Sequence, residues 1–322
     1  MKRGNMKNKS KYIKYIGNIV TIVAIIFIIR KMLSYDISSY NIFSVKNIAI
    51  FGIILIGYIS SIILNTYPWL QTVQIISGKR IPFFQATLVS VRSNVLKYIP
   101  GNVFQYIGKN ELALKSNVEH SEVAFSTIFD VLLMLIVAFI TGAILVGDYF
   151  VEIVTSYISL PTVLIIVAAG VAVLVVLIII FKKRIIVFFS QIIKNLSKKE
   201  NIFKLITCIA YYLIQNIFTG MLYLLVLCTI SGMGMGQLPW LHILGANIIS
   251  GVIGFLTPGA PGGIGIREMV MMLMTSGIMD GNTIMIASVV FRIISILGDI
   301  LAFAVVFGFD KIKSIGGRKC VK

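Results

Sequence analysis

Acidic residues are scarce in this chain. Twelve Asp and Glu stand against 29 Lys and Arg in 322 residues, a formal net charge of +17. Histidine (2), tryptophan (2) and cysteine (3) are rarer still. Cys208 and Cys228 share one apolar stretch and Cys320 lies near the end, so neither a disulfide framework nor a metal spacing can be drawn from them. His120 and His242 have no Cys or His close in sequence, which excludes a zinc pattern. Gly-x-Ser-x-Gly, the phosphate-cradling Walker loop and His-Glu-x-x-His are all missing, and with them the common signatures of hydrolases, nucleotide binders and metalloproteases. Gly263 and Gly265 form a "GxG" that follows no strand, which leaves a dinucleotide reading without support. No cofactor and no metal is expected.

Hydrocarbon takes the place of charge. Hydrophobic residues make up 58% of the chain and charged residues 13%, with a mean hydropathy of +0.96. A soluble protein of this length could not hide so much apolar surface, so the class is an all-α polytopic membrane protein. The apolar runs are continuous rather than alternating, which argues against a β-barrel. Six segments have the roughly 20 residues that a span requires: 12–33, 47–66, 121–147, 160–181, 203–231 and 283–308. The first has a basic flank but no small-residue cleavage site, and reads as a retained signal anchor. Two more regions, 83–116 and 240–278, are apolar but broken by Pro-Gly clusters. Each is either two spans or one re-entrant hairpin, and either choice preserves sidedness. Residues 1–322 then form one integral membrane domain with no soluble catalytic domain.

The excess of cations marks orientation rather than a nucleic-acid partner. Lys2–Lys14, Lys79–Arg80, Lys182–Lys204 and Lys311–Lys322 together hold 20 of the 29 basic residues, and all four regions fall on one side of this topology. Basic loops face the cytoplasm, which places both termini inside and the protein in the cell (inner, cytoplasmic) membrane. Arg30, Lys31 and Lys46 are the exception. The 83–116 region is then entered from the cytoplasm and 240–278 from outside. Pro100 and Gly101 correspond to Pro258 and Gly259, and Glu111 lies near the counterpart of Glu268, at an offset of about 157 residues. Units 47–147 and 203–308 thus read as an inverted repeat, the architecture of alternating-access transporters.

Two motifs could carry chemistry. In "RSNVLKYIPGNVFQYIGKNE" (Arg92–Glu111), Pro100 stops a helix and Gly101 permits a reversal, so two half-helices should meet there. Broken backbone at membrane depth is tolerated only against protein or a wet cavity. Arg92, Asn102, Lys109 and Glu111 are candidate head-group contacts; Lys97 and Lys109 either serve there or snorkel to the cytoplasmic surface. In "TPGAPGGIGIRE" (Thr257–Glu268), glycines including Gly263 and Gly265 allow close backbone approach. A helix beginning near Ile266 would offer N–H groups to an anion, and Arg267 would add a cation suited to phosphate. Glu268 either contacts substrate or holds Arg267, and both charges could instead pair with the other hairpin and lock the fold. Asp130, Arg292 and Asp299 are supporting intramembrane charges. Arg292 and Asp299 lie seven apart, two turns along one helix face. Asp130 should seek an arginine. Asn216 and Asn247 read as helix–helix contacts, Trp69 and Trp240 as anchors at the membrane interface.

"KYIPGNVFQYIGK" (Lys97–Lys109) and "TPGAPGGIGIRE" resemble the signature segments of the lysylphosphatidylglycerol synthase transmembrane region family, over about residues 10–310. Lys109 stands where relatives often show arginine. The resemblance implies re-entrant helices and a flippase-like protein that moves an anionic or aminoacylated phospholipid between leaflets. Full-length relatives add a soluble domain that attaches lysine to phosphatidylglycerol; the expectation for this chain is that it has none and is not an enzyme. Alternatives are a transporter for a polyprenyl-phosphate-linked sugar, or a membrane scaffold for a synthase or glycosyltransferase. The expected partners are a phospholipid or lipid-linked substrate and the membrane, with either a second copy or a separate synthase beside it.

Overall fold

The computed structural model describes residues 44–98, 105, 106, 108, 109, 118–147, 190, 193–257 and 261–319, and every regular element among them is helical. The spans expected at 12–33 and 160–181 lie outside the described residues, as do Pro100, Gly101, Asn102, Glu111, Pro258 and Gly259. Eight α-helices follow in chain order: α1 Val45–Leu64, α2 Thr66–Ser77, α3 Phe83–Asn94, α4 His120–Val146, α5 Lys199–Ser231, α6 Trp240–Leu256, α7 Ile266–Met274 and α8 Gly281–Lys319. Short 3-10 turns at Val95–Tyr98 and Pro261–Gly263 follow α3 and precede α7. Four stretches are long and apolar enough to cross a membrane: Val45–Ser77, His120–Val146, Lys199–Ser231 and Gly281–Lys311.

The first of these runs on past the end expected at residue 66, through α1 and α2. The joint between the two helices has a local cause. Pro68 cannot donate to the carbonyl of Leu64 and its ring crowds that carbonyl, so the ladder breaks one turn before it. Asn65 stays helical at φ −59° and carries the chain on with a tightened turn. Gly78, at φ +69°, ends α2 in the left-handed conformation that glycine adopts without strain, and Lys79 and Arg80 follow.

Lipid tails are as apolar as leucine, so no hydrophobic drive separates helix–helix from helix–lipid contact, and close approach at small residues takes its place. A Cβ on Gly245 of α6 would fall 2.7 Å from Val146 Cγ2, and one on Gly142 of α4 would fall 2.8 Å from Ile249. These two glycines let α4 and α6 pack backbone to backbone. The main core joins α1, α5, α6, α7 and α8 around Ile54, Tyr223, Leu227, Ile243, Leu244 and Ala287. A smaller one holds Trp69, Val73, Ala86, Val89 and Val123 from α2, α3 and α4. Large apolar side chains such as Ile53, Ile56, Ile144 and Ile214 face outward, as lipid-facing residues do.

Candidate functional site

Helix α8 reaches both broken segments. Arg292 Nη1 donates to Glu268 Oε1 at 3.2 Å, and its Nη2 donates to the carbonyl of Gly262 at 2.8 Å. Two turns further along, Asp299 accepts from Lys97 Nζ at 2.6 Å and from Asn94 Nδ2 at 2.7 Å. Arg292 thus meets the turn before α7, and Asp299 meets the turn after α3. The two turns, Val95–Tyr98 and Pro261–Gly263, also touch each other. The seven-residue spacing read from the sequence therefore marks a helix face that ties both breaks together.

Gly262, Gly263 and Gly265 all sit at positive φ (59°, 75° and 84°), a run of backbone that side chains with a Cβ resist. A Cβ on Gly263 would fall 2.9 Å from Gly254 Cα on α6 and 3.0 Å from Arg267 Nε, so the loop and α6 pinch the arginine stem between them. Helix α7 starts at Ile266, as the glycine pattern predicts. Glu268 is 2% exposed. Its Oε2 accepts the Gly265 N–H at 2.7 Å, so this acid caps the first turn of its own helix. Its other oxygen takes Arg292. Of the roles left open for Glu268, a hold on Arg267 gives way to a pairing with Arg292. Neighbouring residues on a helix point about 100° apart, while a facing helix can present a cation end-on.

Described residues on either side of the first break line a cavity of about 200 Å³. It lies between α1, α3, the turn after α3, the described residues 105–109 and α5. Of its thirteen lining residues, Ile62 alone lacks a polar side-chain atom, and two are cations, Lys97 and Lys109. Tyr58 forms one wall. Gly298 of α8 makes room for it, since a Cβ there would fall 2.6 Å from the ring. Tyr58 stands within electrostatic range of Lys97, Asp299 and Arg267. On the far wall, Gln215 donates to Ser61 Oγ at 2.7 Å and Tyr211 donates to Asn65 Oδ1 at 3.2 Å.

Behind Lys109 lies a buried acid. Lys109 Nζ stands 4.3 Å from the centroid of the Trp69 ring, a cation–π contact. Asp130 of α4 is its electrostatic partner. Asp130 Oδ1 accepts from Tyr212 at 2.6 Å. The arginine expected for Asp130 is thus a lysine and a tyrosine. Trp69, expected at the membrane interface, is fully buried; its indole N–H donates to Thr127 Oγ1 at 3.2 Å and its face carries Lys109. Trp240, by contrast, is 45% exposed. Arg92 departs from the cavity and pairs with Asp310 near the end of α8 at 3.0 Å, with its guanidinium 5.5 Å from the Phe307 ring.

Of the residues singled out in the sequence, Lys109 lines the cavity, Asp130 and Asp299 hold its lysines from behind, and Arg267 lies within range of its wall. Gly263, Gly265, Glu268 and Arg292 build the locked turn beside it. Sequence reasoning left out Tyr58 and Tyr212, and set Asn94 and Lys97 around the first break without a fixed role. The signal for Lys97 was its position three residues before Pro100; for Tyr58 and Tyr212, inside ordinary apolar spans, there was none. Among the described residues no group of three or more His, Cys, Asp and Glu side chains is placed to hold a metal ion.

Comparison with curated proteins and with solved structures finds no match. A family model described as the lysylphosphatidylglycerol synthase TM region matches residues 16–302, a range that contains three of the four spanning stretches and most of the fourth, both broken segments and the cavity. The chain therefore belongs to the lysylphosphatidylglycerol synthase TM region family, and is a multi-pass membrane protein related to lipid modification or transport.

Proposed function

We propose that this protein carries a lipid between leaflets, holding the head-group phosphate in the cavity at the first break while the acyl chains stay in the bilayer. The observation that supports this is the cavity itself: a polar space with two lysines, set among helices whose outer faces are apolar. Water-lined polar space inside a membrane protein is costly to keep and marks a pathway for a polar cargo. Lys97 and Lys109 supply the charge, and the amide and hydroxyl groups of α1, α3 and α5 replace the water that a phosphate leaves behind. Arg267 adds to the positive field at the Tyr58 wall.

Alternation follows from how the breaks are tied. Short segments held to α8 by Lys97–Asp299 and Glu268–Arg292 can shift as units when those pairs exchange partners, and a phosphate competing with Asp299 for Lys97 provides such an exchange. No covalent step is needed in this reading. In this reading the basic loops lie on the cytoplasmic side of the cell membrane, together with both termini. The test is reconstitution into vesicles carrying a fluorescently labelled phosphatidylglycerol in both leaflets, with a membrane-impermeant quencher added outside. Protein-containing vesicles should lose nearly all the signal; protection of the inner-leaflet half, as in protein-free vesicles, would sink the proposal.

A further inference from the structure

Resting on that translocation reading, we infer that each anionic lipid crosses together with one proton, which the lipid's arrival places on Asp299. The two lysines of the cavity are matched before any lipid enters. Lys97 faces the buried Asp299, and Lys109 faces the buried Asp130. Of these pairs, Lys97 and Asp299 are in direct contact, Nζ to Oδ2 at 2.6 Å. The Asp299 side chain is fully buried, whereas 22% of the Lys97 side chain is exposed. The other oxygen, Oδ1, accepts from Asn94 Nδ2 at 2.7 Å. Lys97 and Asn94 both line the cavity, so a lipid phosphate meets the two groups that hold Asp299.

A phosphodiester brings one negative charge to lysines whose charge is already balanced. When Lys97 turns to the phosphate, Asp299 Oδ2 loses its cation while Oδ1 keeps Asn94. A buried carboxylate without a counter-charge is costly, and taking up a proton is the ordinary way such a group escapes that cost. With a proton from water on Oδ2 the acid is neutral, Lys97 and the phosphate form the new ion pair, and the total charge returns to that of the empty cavity. No other bond is made or broken. Among the described residues, Tyr58 of α1 and, beyond it, Arg267 of α7 also face this pair. Further along α8, Arg292 is taken by Glu268 and Asp310 by Arg92, and Tyr223 of α5 bonds Ser288 three turns away. Tyr58 is a neutral phenol bonded to Ser295, and an arginine does not titrate. Asp299 is therefore the group whose charge changes when Lys97 leaves. Lipid anion and proton together carry no net charge, so their movement should follow a pH difference and ignore the membrane potential.

Vesicles holding the full chain are given an alkaline lumen in sodium-free buffer, and labelled phosphatidylglycerol is added to the outer leaflet. Its distribution at equilibrium is read by a brief quench in the cold. One proton per lipid should enrich the inner leaflet about tenfold for each pH unit of difference. Protein-free vesicles should keep the label outside, and an imposed potassium diffusion potential should leave the enrichment unchanged. Asp299→Asn, which imitates the neutral acid, should bring the two leaflets to equal labelling at whatever rate it equilibrates. Should that variant not fold or not translocate, proton uptake reads the same step in the unmodified chain. Adding short-chain phosphatidylglycerol in weakly buffered detergent should take up about one proton per lipid bound. Equal leaflets in the unmodified protein would overturn the inference while leaving translocation intact. Binding without proton uptake, or a distribution that follows an imposed sodium gradient at uniform pH, would overturn it likewise. A pH response that survives in Asp299→Asn but is lost in Asp130→Asn or Glu111→Gln would overturn the assignment to Asp299. A label that stays in the outer leaflet of vesicles holding the unmodified chain would overturn the transport reading itself.

Discussion

The two Pro-Gly breaks look alike in sequence and behave differently in the fold. Each carries a helix breaker, glycines and charges within a dozen residues. At the second, from Gly262 to Glu268, the acid is drawn inward: Glu268 accepts the Gly265 N–H and is gripped by Arg292, while the Arg267 stem is pinched between Gly254 and Gly263 and the residue remains exposed. At the first, Lys97 and Lys109 reach a polar cavity, and their acids lie behind them. One break is a lock and the other a lining. A broken intramembrane helix is therefore not by itself a binding site; what matters is whether its charges are satisfied by the protein or left facing a space.

That contrast can be broken from either side. The largest effect is expected at the lock. Arg292→Ala leaves Glu268 as an unpaired buried charge, which should cost about 3–5 kcal/mol and appear as a lowered melting temperature or lost monodispersity in detergent. Gly263→Ala comes next. It forces a Cβ to within 2.9 Å of the α6 backbone at a φ of 75°, and should cost about 1–3 kcal/mol in the same assay. At the lining, function changes as well as stability. Lys109→Gln removes a cation from the cavity wall and should slow lipid translocation about tenfold; it also takes the counter-charge from Asp130, which keeps its bond from Tyr212, so its melting temperature should fall too, and Lys109→Arg should recover both. The smallest effect is expected at Arg92→Ala. Arg92 and Asp310 are a half-exposed pair at the rim, with side chains 29% and 39% exposed, and such pairs are worth about 0–1 kcal/mol. A melt that ranks Arg92→Ala with Arg292→Ala would erase the distinction between lock and rim.

Part of this organisation was legible before any coordinates. Continuous apolar runs gave the helical membrane class, because length and hydropathy alone decide what can cross a bilayer. The start of α7 at Ile266 followed from glycines, which break a helix and admit the positive-φ backbone of the turn before it. Arg292 and Asp299 could be placed on one face because helix periodicity fixes direction. Pairings were another matter. Sequence order offered Arg267 as one of several partners for Glu268 and an arginine for Asp130, whereas the partners are Arg292 and, for Asp130, Lys109 with Tyr212. Which cation meets which acid depends on how the helices pack, and packing here turns on details such as Gly298 admitting the Tyr58 ring. Trp69 shows the same gap. A tryptophan near a span end reads as an interface anchor, but the α1–α2 joint at Pro68 extends the apolar stretch and carries Trp69 into the core under Lys109.

The most direct test of the central claim is the translocation rate of labelled phosphatidylglycerol in vesicles holding Lys109→Gln, Lys109→Arg or the unmodified chain, with melting temperature measured on the same preparations. The account predicts a loss of about tenfold in Lys109→Gln and recovery in Lys109→Arg, with rates read below the melting temperature of every preparation. Unchanged translocation in Lys109→Gln would contradict it, and would return the cavity at the first break to a purely structural role.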